Sequence, residues 1–151
     1  MNVGDVVADF ELTDETGASR TLSSLLENGP VVLFFYPAAM SAGCTVEACH
    51  FRDVASEFRA FGAQPVGISH DSVDRQAQFA AKHTLGYPLL SDPDGSVRTQ
   101  FGVKRERGFS QTKRMTFVID TDRRVLAAVH SELRMNTHAD KALEALRARR
   151  H

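Results

Sequence analysis

The apolar run Val31-Val-Leu-Phe-Phe-Tyr36 stands between Gly29-Pro30 and Pro37. So short a run, rich in β-branched and aromatic side chains, reads as a strand covered on both faces, because a half-exposed strand would alternate with polar residues. Such a strand belongs in the centre of a sheet and needs helices against it. Downstream, Phe51, Val54, Ala55 and Phe58 recur at the helical period, which predicts one helix from about Cys44 to about Ala60, ended by Gly62. Pro65-Val-Gly-Ile-Ser69 is a second short strand. Strand, helix and strand of these lengths imply a parallel pair joined by a right-handed crossover, so the expected class is α/β.

The rest of the chain continues the alternation. Ser72 can cap a helix carrying Val73, Ala77, Phe79 and Ala80 that stops near Gly86-Tyr-Pro88, and a short helical turn follows around Val97 to Phe101. Met115-Thr-Phe-Val-Ile119 and Arg124-Val-Leu-Ala-Ala-Val129 flank the polar Asp120-Thr-Asp-Arg123, which predicts an antiparallel hairpin. Asn136 or Thr137 starts a last helix with Ala139, Leu143 and Leu146 on one side, and Arg147, Arg149 and Arg150 suit the negative end of its dipole. No repeat, low-complexity tract or linker interrupts the 151 residues, so residues 1–151 are expected to form one domain.

Charge and composition exclude several classes of function. A net charge of −1 gives no basic footprint for nucleic acid or anionic lipid. The Val31 to Tyr36 run is far below the roughly 20 residues of a bilayer helix. Asp5 and Asp9 stand where an export signal would be basic and then apolar, so a cytoplasmic location is expected, without membrane or nucleic-acid partners. The two cysteines are too few for a disulfide framework, and in a reducing compartment they point to redox or metal work. Cys44 and Cys49 make a C-x4-C, not the C-x-x-C of a dithiol redox pair or a zinc knuckle.

In open α/β sheets, ligands bind beyond the carboxyl ends of the parallel strands, and Pro37 to Cys44 is such a loop. A thiol attacks only as thiolate, and an unperturbed cysteine with pKa about 8.5 is mostly protonated at neutral pH. Cys44 falls in the predicted first helical turn, where unpaired backbone N–H groups and the dipole favour an anion. Position alone leaves open a small, buried, inert cysteine.

The stretch Tyr36-Pro-Ala-Ala-Met-Ser-Ala-Gly-Cys44 resembles the P-x-x-x-T/S-x-x-C motif of peroxiredoxins. With Cys49 it is similar to the subfamily known as bacterioferritin comigratory protein or peroxiredoxin Q. The resemblance also covers Asp9-Phe-Glu-Leu12, read as an early strand, and Glu47-Ala-Cys-His-Phe-Arg-Asp53. It extends through Tyr87-Pro-Leu-Leu-Ser-Asp92 and Arg114-Met-Thr-Phe-Val-Ile-Asp120. It implies a thioredoxin-like fold with a central mixed sheet flanked by helices. It further implies reduction of hydrogen peroxide and organic hydroperoxides, recycling by thioredoxin or a similar dithiol, and a monomer in preference to a dimer. No cofactor or metal is implied, and His50 and His70, without other ligand spacing, read as solvated.

Carried over residue by residue, the resemblance makes Cys44 the peroxidatic and Cys49 the resolving cysteine. Pro37 then shapes the loop, Ser41 is the hydroxyl residue and Arg114 the guanidinium beside the sulfur. Attack on a peroxide drives negative charge onto the departing oxygen, so Ser41, Arg114 and the N–H groups of Gly43 and Cys44 are the candidate donors. Glu47 is a candidate to orient Arg114, with simple dipole complementarity as the alternative, and Arg52 is a weaker one. Ser41 has a structural alternative as an N-cap accepting the Cys44 N–H, and Arg114 as a solvated strand-end charge. Ser41 replaces the family's usual Thr, and Ala42 its usual Pro, which leaves the loop less rigid. The oxidised Cys44 would condense with Cys49. In one regular helix their Cα atoms would lie roughly 8 to 9 Å apart on divergent faces, beyond the roughly 7 Å a disulfide spans, so that helix must unwind first. The rival functions are a thioredoxin-like disulfide reductase, against which the missing C-x-x-C counts, and a non-catalytic thioredoxin-fold binding module. The basic segment Val103 to Lys113, with Lys104, Arg105, Arg107 and Lys113, reads either as an ordinary solvated loop or as a reductant-docking one, and the sequence does not choose.

Overall fold

The computed structural model describes residues 1–104 and 112–149. In chain order the elements are β1 (Glu11–Asp14), β2 (Ser19–Thr21), α1 (Leu22–Leu25), β3 (Val31–Phe35), α2 (Ala42–Asp53), α3 (Ala55–Ala60) and β4 (Gln64–Ser69). They continue with α4 (Val73–His83), β5 (Leu89–Ser91), α5 (Ser96–Gln100), β6 (Met115–Ile119), β7 (Val125–His130) and α6 (Met135–Ala148). The strands form one mixed sheet in the order β2-β1-β5-β4-β3-β6-β7.

The apolar run is the sheet's centre, as its composition demands. β3 pairs parallel with β4 on one side and antiparallel with β6 on the other. Its period-2 alternation divides the core into two layers. Val32, Phe34 and Tyr36 pack with Phe51, Phe58, Phe79, Leu143 and Leu146, while Val31, Leu33 and Phe35 pack with Leu22, Ile68, Phe101 and Phe117. Phe51 of α2 stacks on Phe34 with ring centroids 4.3 Å apart. Burying two such rings stabilises by roughly 1.5–3 kcal/mol each, so this contact seats α2 on the sheet. Gly67 of β4 leaves room for this layer: a Cβ there would meet Leu89 Cδ2 at 2.7 Å, Tyr36 at 3.0 Å and Phe34 Cζ at 3.1 Å.

Several predicted elements shift. The single helix expected from Cys44 to Ala60 starts earlier, at Ala42, and breaks at Val54, whose φ of −103° and ψ of 14° leave the helical region. The apolar face stays continuous across the break, with Phe51 and Phe58 stacked 5.8 Å apart, so periodicity carried no sign of it. The early strand falls on Glu11–Asp14 instead of Asp9 to Leu12. The last helix starts at Met135, ahead of Asn136. Just past its end at Ala148, the C-cap residue Arg149 pairs with Asp120 Oδ1 at 2.9 Å, and Arg150 lies outside the described residues. Ser72 caps α4 as expected, its side chain accepting the Arg75 N–H, and Thr84 in a left-handed conformation closes that helix. β2 and α1 were not foreseen. Among the described residues no helix is long and apolar enough to cross a membrane.

Candidate active site

The carboxyl end of β3 and the N-terminus of α2 are joined by residues 36–41. Here the chain is held from below. Ala39, 2% exposed, donates its N–H to Asp71 Oδ2 at 2.7 Å and accepts from Arg75 Nη2 at 3.3 Å. Asp71 is itself fixed by the Ser69 hydroxyl at 2.7 Å. Between this clamp and the helix, Met40 adopts a φ of +70°, a left-handed conformation that costs a non-glycine residue roughly 1–2 kcal/mol.

Ser41 occupies the N-cap position of α2 but makes no side-chain cap bond. Its hydroxyl donates to the Ala38 carbonyl at 2.9 Å, so the predicted bond to the Cys44 N–H is not formed. The tight turn over residues 38–41, closed by the Ser41 N–H to the Ala38 carbonyl at 3.4 Å, brings that carbonyl within reach of the hydroxyl. With its proton committed, Ser41 has lone pairs left to offer. The first backbone bond of the helix runs from the Thr45 N–H to the Ser41 carbonyl at 2.9 Å. The N–H groups of Gly43 and Cys44 therefore lack helical partners and face outward from the positive end of the dipole.

Cys44 is 1% exposed and belongs to the core layer of Phe34 and Phe51. Arg114 comes to it from the opposite strand. β6 runs antiparallel to β3 and the register pairs Phe35 with Met115, which sets Arg114 next to the end of β3. Arg114 Nη2 donates to Cys44 Sγ at 3.3 Å and Nη1 to Glu47 Oε1 at 3.1 Å. The solvated strand-end alternative for Arg114 does not hold. Burial works against its charge, but Cys44 and Glu47 outweigh burial and keep Arg114 above the ordinary arginine range. Gly43 is where the guanidinium passes closest: a Cβ there would sit 3.3 Å from Arg114 Nη2.

Glu47 is fully buried, and burial pushes its carboxyl up to about 8 against the pull of Arg114. Its Oε2 lies 3.4 Å from His138 Nε2. Glu132 braces the same corner from the loop after β7, accepting the Arg114 backbone N–H at 3.0 Å. Asp71, Arg75, Glu132 and His138 carried no motif signal. A lone histidine followed by Ala139-Asp-Lys141 on an amphipathic helix reads as helix surface until the topology is known.

Cys49 lies in the same unbroken helix as Cys44, partly exposed, and both thiols are free. The second half of α2 is tied down by three contacts. Tyr87 donates its hydroxyl to the Ala48 carbonyl at 2.7 Å, and Arg52 Nη1 donates to the His83 carbonyl at 2.7 Å. His50 Nε2 sits 3.0 Å from Asp140 Oδ1, so it is paired where solvation was expected. Arg52 is thus an anchor of the helix, remote from the sulfur. Among the described residues no cluster of His, Cys, Asp and Glu is arranged to hold a metal. Beside Gly43, an open groove of about 350 Å³ is lined by Val46, Leu133, Arg134, Met135, Asn136 and Thr137. Its exposed lip is apolar at Val46 and Leu133. Of the basic segment, Lys104 and Lys113 are described, whereas Arg105 and Arg107 lie outside the described residues.

The AhpC/TSA family model matches residues 3–128. The crystal structure of peroxidoxin BcpB from Mycobacterium tuberculosis superposes with a TM-score of 0.95 at 60% identity, covering 100% of this chain and 99% of that one. Peroxiredoxin Bcp of Escherichia coli K12 is 35% identical over 152 residues, covering 97% of this chain and 96% of its own. The bacterioferritin comigratory protein of Xanthomonas campestris, solved in work on its alkyl peroxide reduction activity, has a TM-score of 0.85 at 30% identity, with 92% and 90% covered.

Proposed function

The chain belongs to the AhpC/TSA family, as a peroxiredoxin of the Bcp and peroxiredoxin Q kind and hence a thiol peroxidase, and on that premise we propose that Cys44 is the attacking sulfur. The observation that carries this reading is the 3.3 Å contact between Arg114 Nη2 and Cys44 Sγ at the N-terminal turn of α2. A fixed positive charge and unpaired amides surround one sulfur there, at the switch between a parallel and an antiparallel neighbour of β3.

In the first step the Cys44 thiolate attacks one peroxide oxygen. An S–O bond forms, the O–O bond breaks, and the electron pair leaves on the second oxygen, which departs as water or an alcohol after taking a proton. Cys44 is left as a sulfenic acid. Arg114 and the N–H groups of Gly43 and Cys44 are the donors for the charge on the departing oxygen, while Glu47 holds the other arm of the guanidinium. Pro37 ends β3 and turns the chain into the loop, and Ser41 contributes an acceptor. In the second step the Cys49 thiol attacks the Cys44 sulfur and expels water, leaving a disulfide. A dithiol such as thioredoxin then reduces it. The intact helix between the two cysteines must unwind for the disulfide to close.

The apolar lip of Val46, Leu133 and Met135 favours organic hydroperoxides alongside hydrogen peroxide, since it can cover an alkyl substituent. We read residues 1–151 as one such domain, acting as a cytoplasmic monomer.

Cys44→Ser and Cys49→Ser test the assignment. The first should abolish hydroperoxide consumption in a thioredoxin-coupled assay, and the second should still consume one equivalent per chain. A Cys44→Ser protein that keeps turning over would overturn it.

A further inference from the structure

His138 of α6 is completely buried, and the mechanism above leaves it without a task. Both ring nitrogens are engaged. Nε2 lies 2.8 Å from the Ser131 carbonyl, an acceptor only, so the ring proton is on Nε2. Nδ1 lies 2.8 Å from Thr116 Oγ1 and accepts the threonine proton. Burial, above all, holds the ring below the ordinary histidine range and hence neutral. The ring is therefore fastened at once to β6 and to the connection between β7 and α6. It cannot turn without losing both bonds.

The edge so fixed faces Glu47. Glu47 Oε2 is buried with no hydrogen bond of its own, and His138 Nε2, whose proton goes to Ser131, packs against it at 3.4 Å. Arg114 Nε is likewise buried without a partner. Among the described residues the guanidinium is thus oriented through Nη1 to Glu47 and Nη2 to the sulfur. Once the sulfur reacts, Glu47 is the remaining anchor among the described residues, and the tilt of its carboxyl group is set by what touches Oε2.

We propose that His138 is a positioning residue for the peroxidase reaction: its ring, fastened by Thr116 and Ser131, stands 3.4 Å from Glu47 Oε2 and confines the carboxyl group that aims the Arg114 guanidinium at the Cys44 sulfur. This rests on Cys44 and Arg114 being the reacting pair. His138 itself touches neither sulfur nor peroxide and acts through two intervening side chains. The reaction with peroxide needs a correctly aimed guanidinium, whereas alkylation of the same sulfur by iodoacetamide does not use a donor on a departing oxygen.

The test compares those two rates by rapid mixing on the reduced full chain. His138→Leu should react with hydrogen peroxide about tenfold more slowly, equivalent to about 1.4 kcal/mol on the barrier, with its alkylation rate unchanged at a pH where the sulfur is fully ionised in both proteins. His138→Gln, whose amide N–H can stand near the position of Nε2, should recover most of the peroxide rate. An unchanged peroxide rate in His138→Leu would overturn the proposal. So would a parallel fall in both rates, which is what a merely structural role predicts. If His138→Leu does not fold, Thr116→Val frees the ring at Nδ1 and is judged by the same pair of rates. Cys44→Ser is run alongside: a peroxide reaction persisting in it refutes the assignment of the sulfur, separately from the role of His138.

Discussion

Cys44 and Arg114 are 70 positions apart in the chain, yet their side chains meet at 3.3 Å in a buried site. The contact is a product of sheet order. β6 runs antiparallel to β3, so the start of one lies beside the end of the other, and the helix carrying Cys44 begins at that same end. One arm of the guanidinium meets the sulfur and the other meets Glu47.

That division of labour predicts that Arg114→Lys is not conservative. A single ammonium cannot bridge Cys44 Sγ and Glu47 Oε1 in the fixed fork geometry. The second-order rate constant with hydrogen peroxide should fall on the order of 10²-fold, the scale of losing one preorganised donor. Stopped-flow oxidation of the reduced protein measures it, and a lysine variant as fast as the parent would count against the bridging role.

Glu47 makes stability depend on pH. Burial raises its carboxyl from the ordinary 4.5 to about 8, against Arg114. Between those values the folded chain holds a proton that the unfolded chain has released, so this contribution to stability is full below about pH 4.5 and is lost as pH rises towards 8. Glu47→Gln has no such proton to lose. Thermal melts from pH 5 to 8 should show the variant gaining on the parent as pH rises. A constant gap across that range would contradict the assignment.

These pH and rate effects depend on features that differ in how far the sequence reveals them. β3 was legible because its boundaries and composition allow only a doubly covered strand, whereas Arg114 was picked out only by the family resemblance, since on its own it reads as a solvated charge at a strand end. The break at Val54 was not legible, since Phe51 and Phe58 keep one apolar face on both sides of it. β2, with only Ser19-Arg20-Thr21, is a strand solely through pairing with β1, a long-range cause that local propensity does not encode. His138 and Asp71 likewise became visible only when α6 and the end of β4 closed over the site. Ser41 was placed correctly at the helix start, but its hydroxyl direction depends on the turn from Ala38, which the sequence leaves open.

Unwinding of α2 should be sensitive to Tyr87. Its hydroxyl holds the Ala48 carbonyl at 2.7 Å, between the two cysteines in sequence. Tyr87→Phe removes a bond contributing about 1 kcal/mol, and the melted state that lets Cys49 reach Cys44 should become more populated. Acid quenching after a peroxide pulse, followed by mass spectrometry of trapped thiols, should show the Cys44–Cys49 disulfide forming several-fold faster while sulfenic acid formation keeps its rate. Equal disulfide rates in both proteins would mean that this hydrogen bond does not hold the helix shut.

The loop before Cys44 makes the most exacting demand on its surroundings. Ala42 stands where the family usually has proline, so the loop lacks that rigid residue, and Met40 is held in a left-handed conformation. Asp71 compensates from below, because its carboxylate takes the buried Ala39 N–H at 2.7 Å. Arg75 is half exposed and its pairing with Asp71 contributes little, so the carboxylate oxygen is what matters. Asp71→Ala leaves that N–H unsatisfied and should cost about 1–3 kcal/mol, lowering the melting temperature by roughly 2–4 °C per kcal/mol for a chain of this size. It should also slow the peroxide reaction, since Ser41 and the start of α2 follow directly on the released strain. Asp71→Asn keeps an acceptor oxygen and should lie close to the parent on both measures. If Asp71→Ala and Asp71→Asn behave alike, the clamp on Ala39 is not what holds the loop, and the rigidity must come from the packing of Met40 against the core.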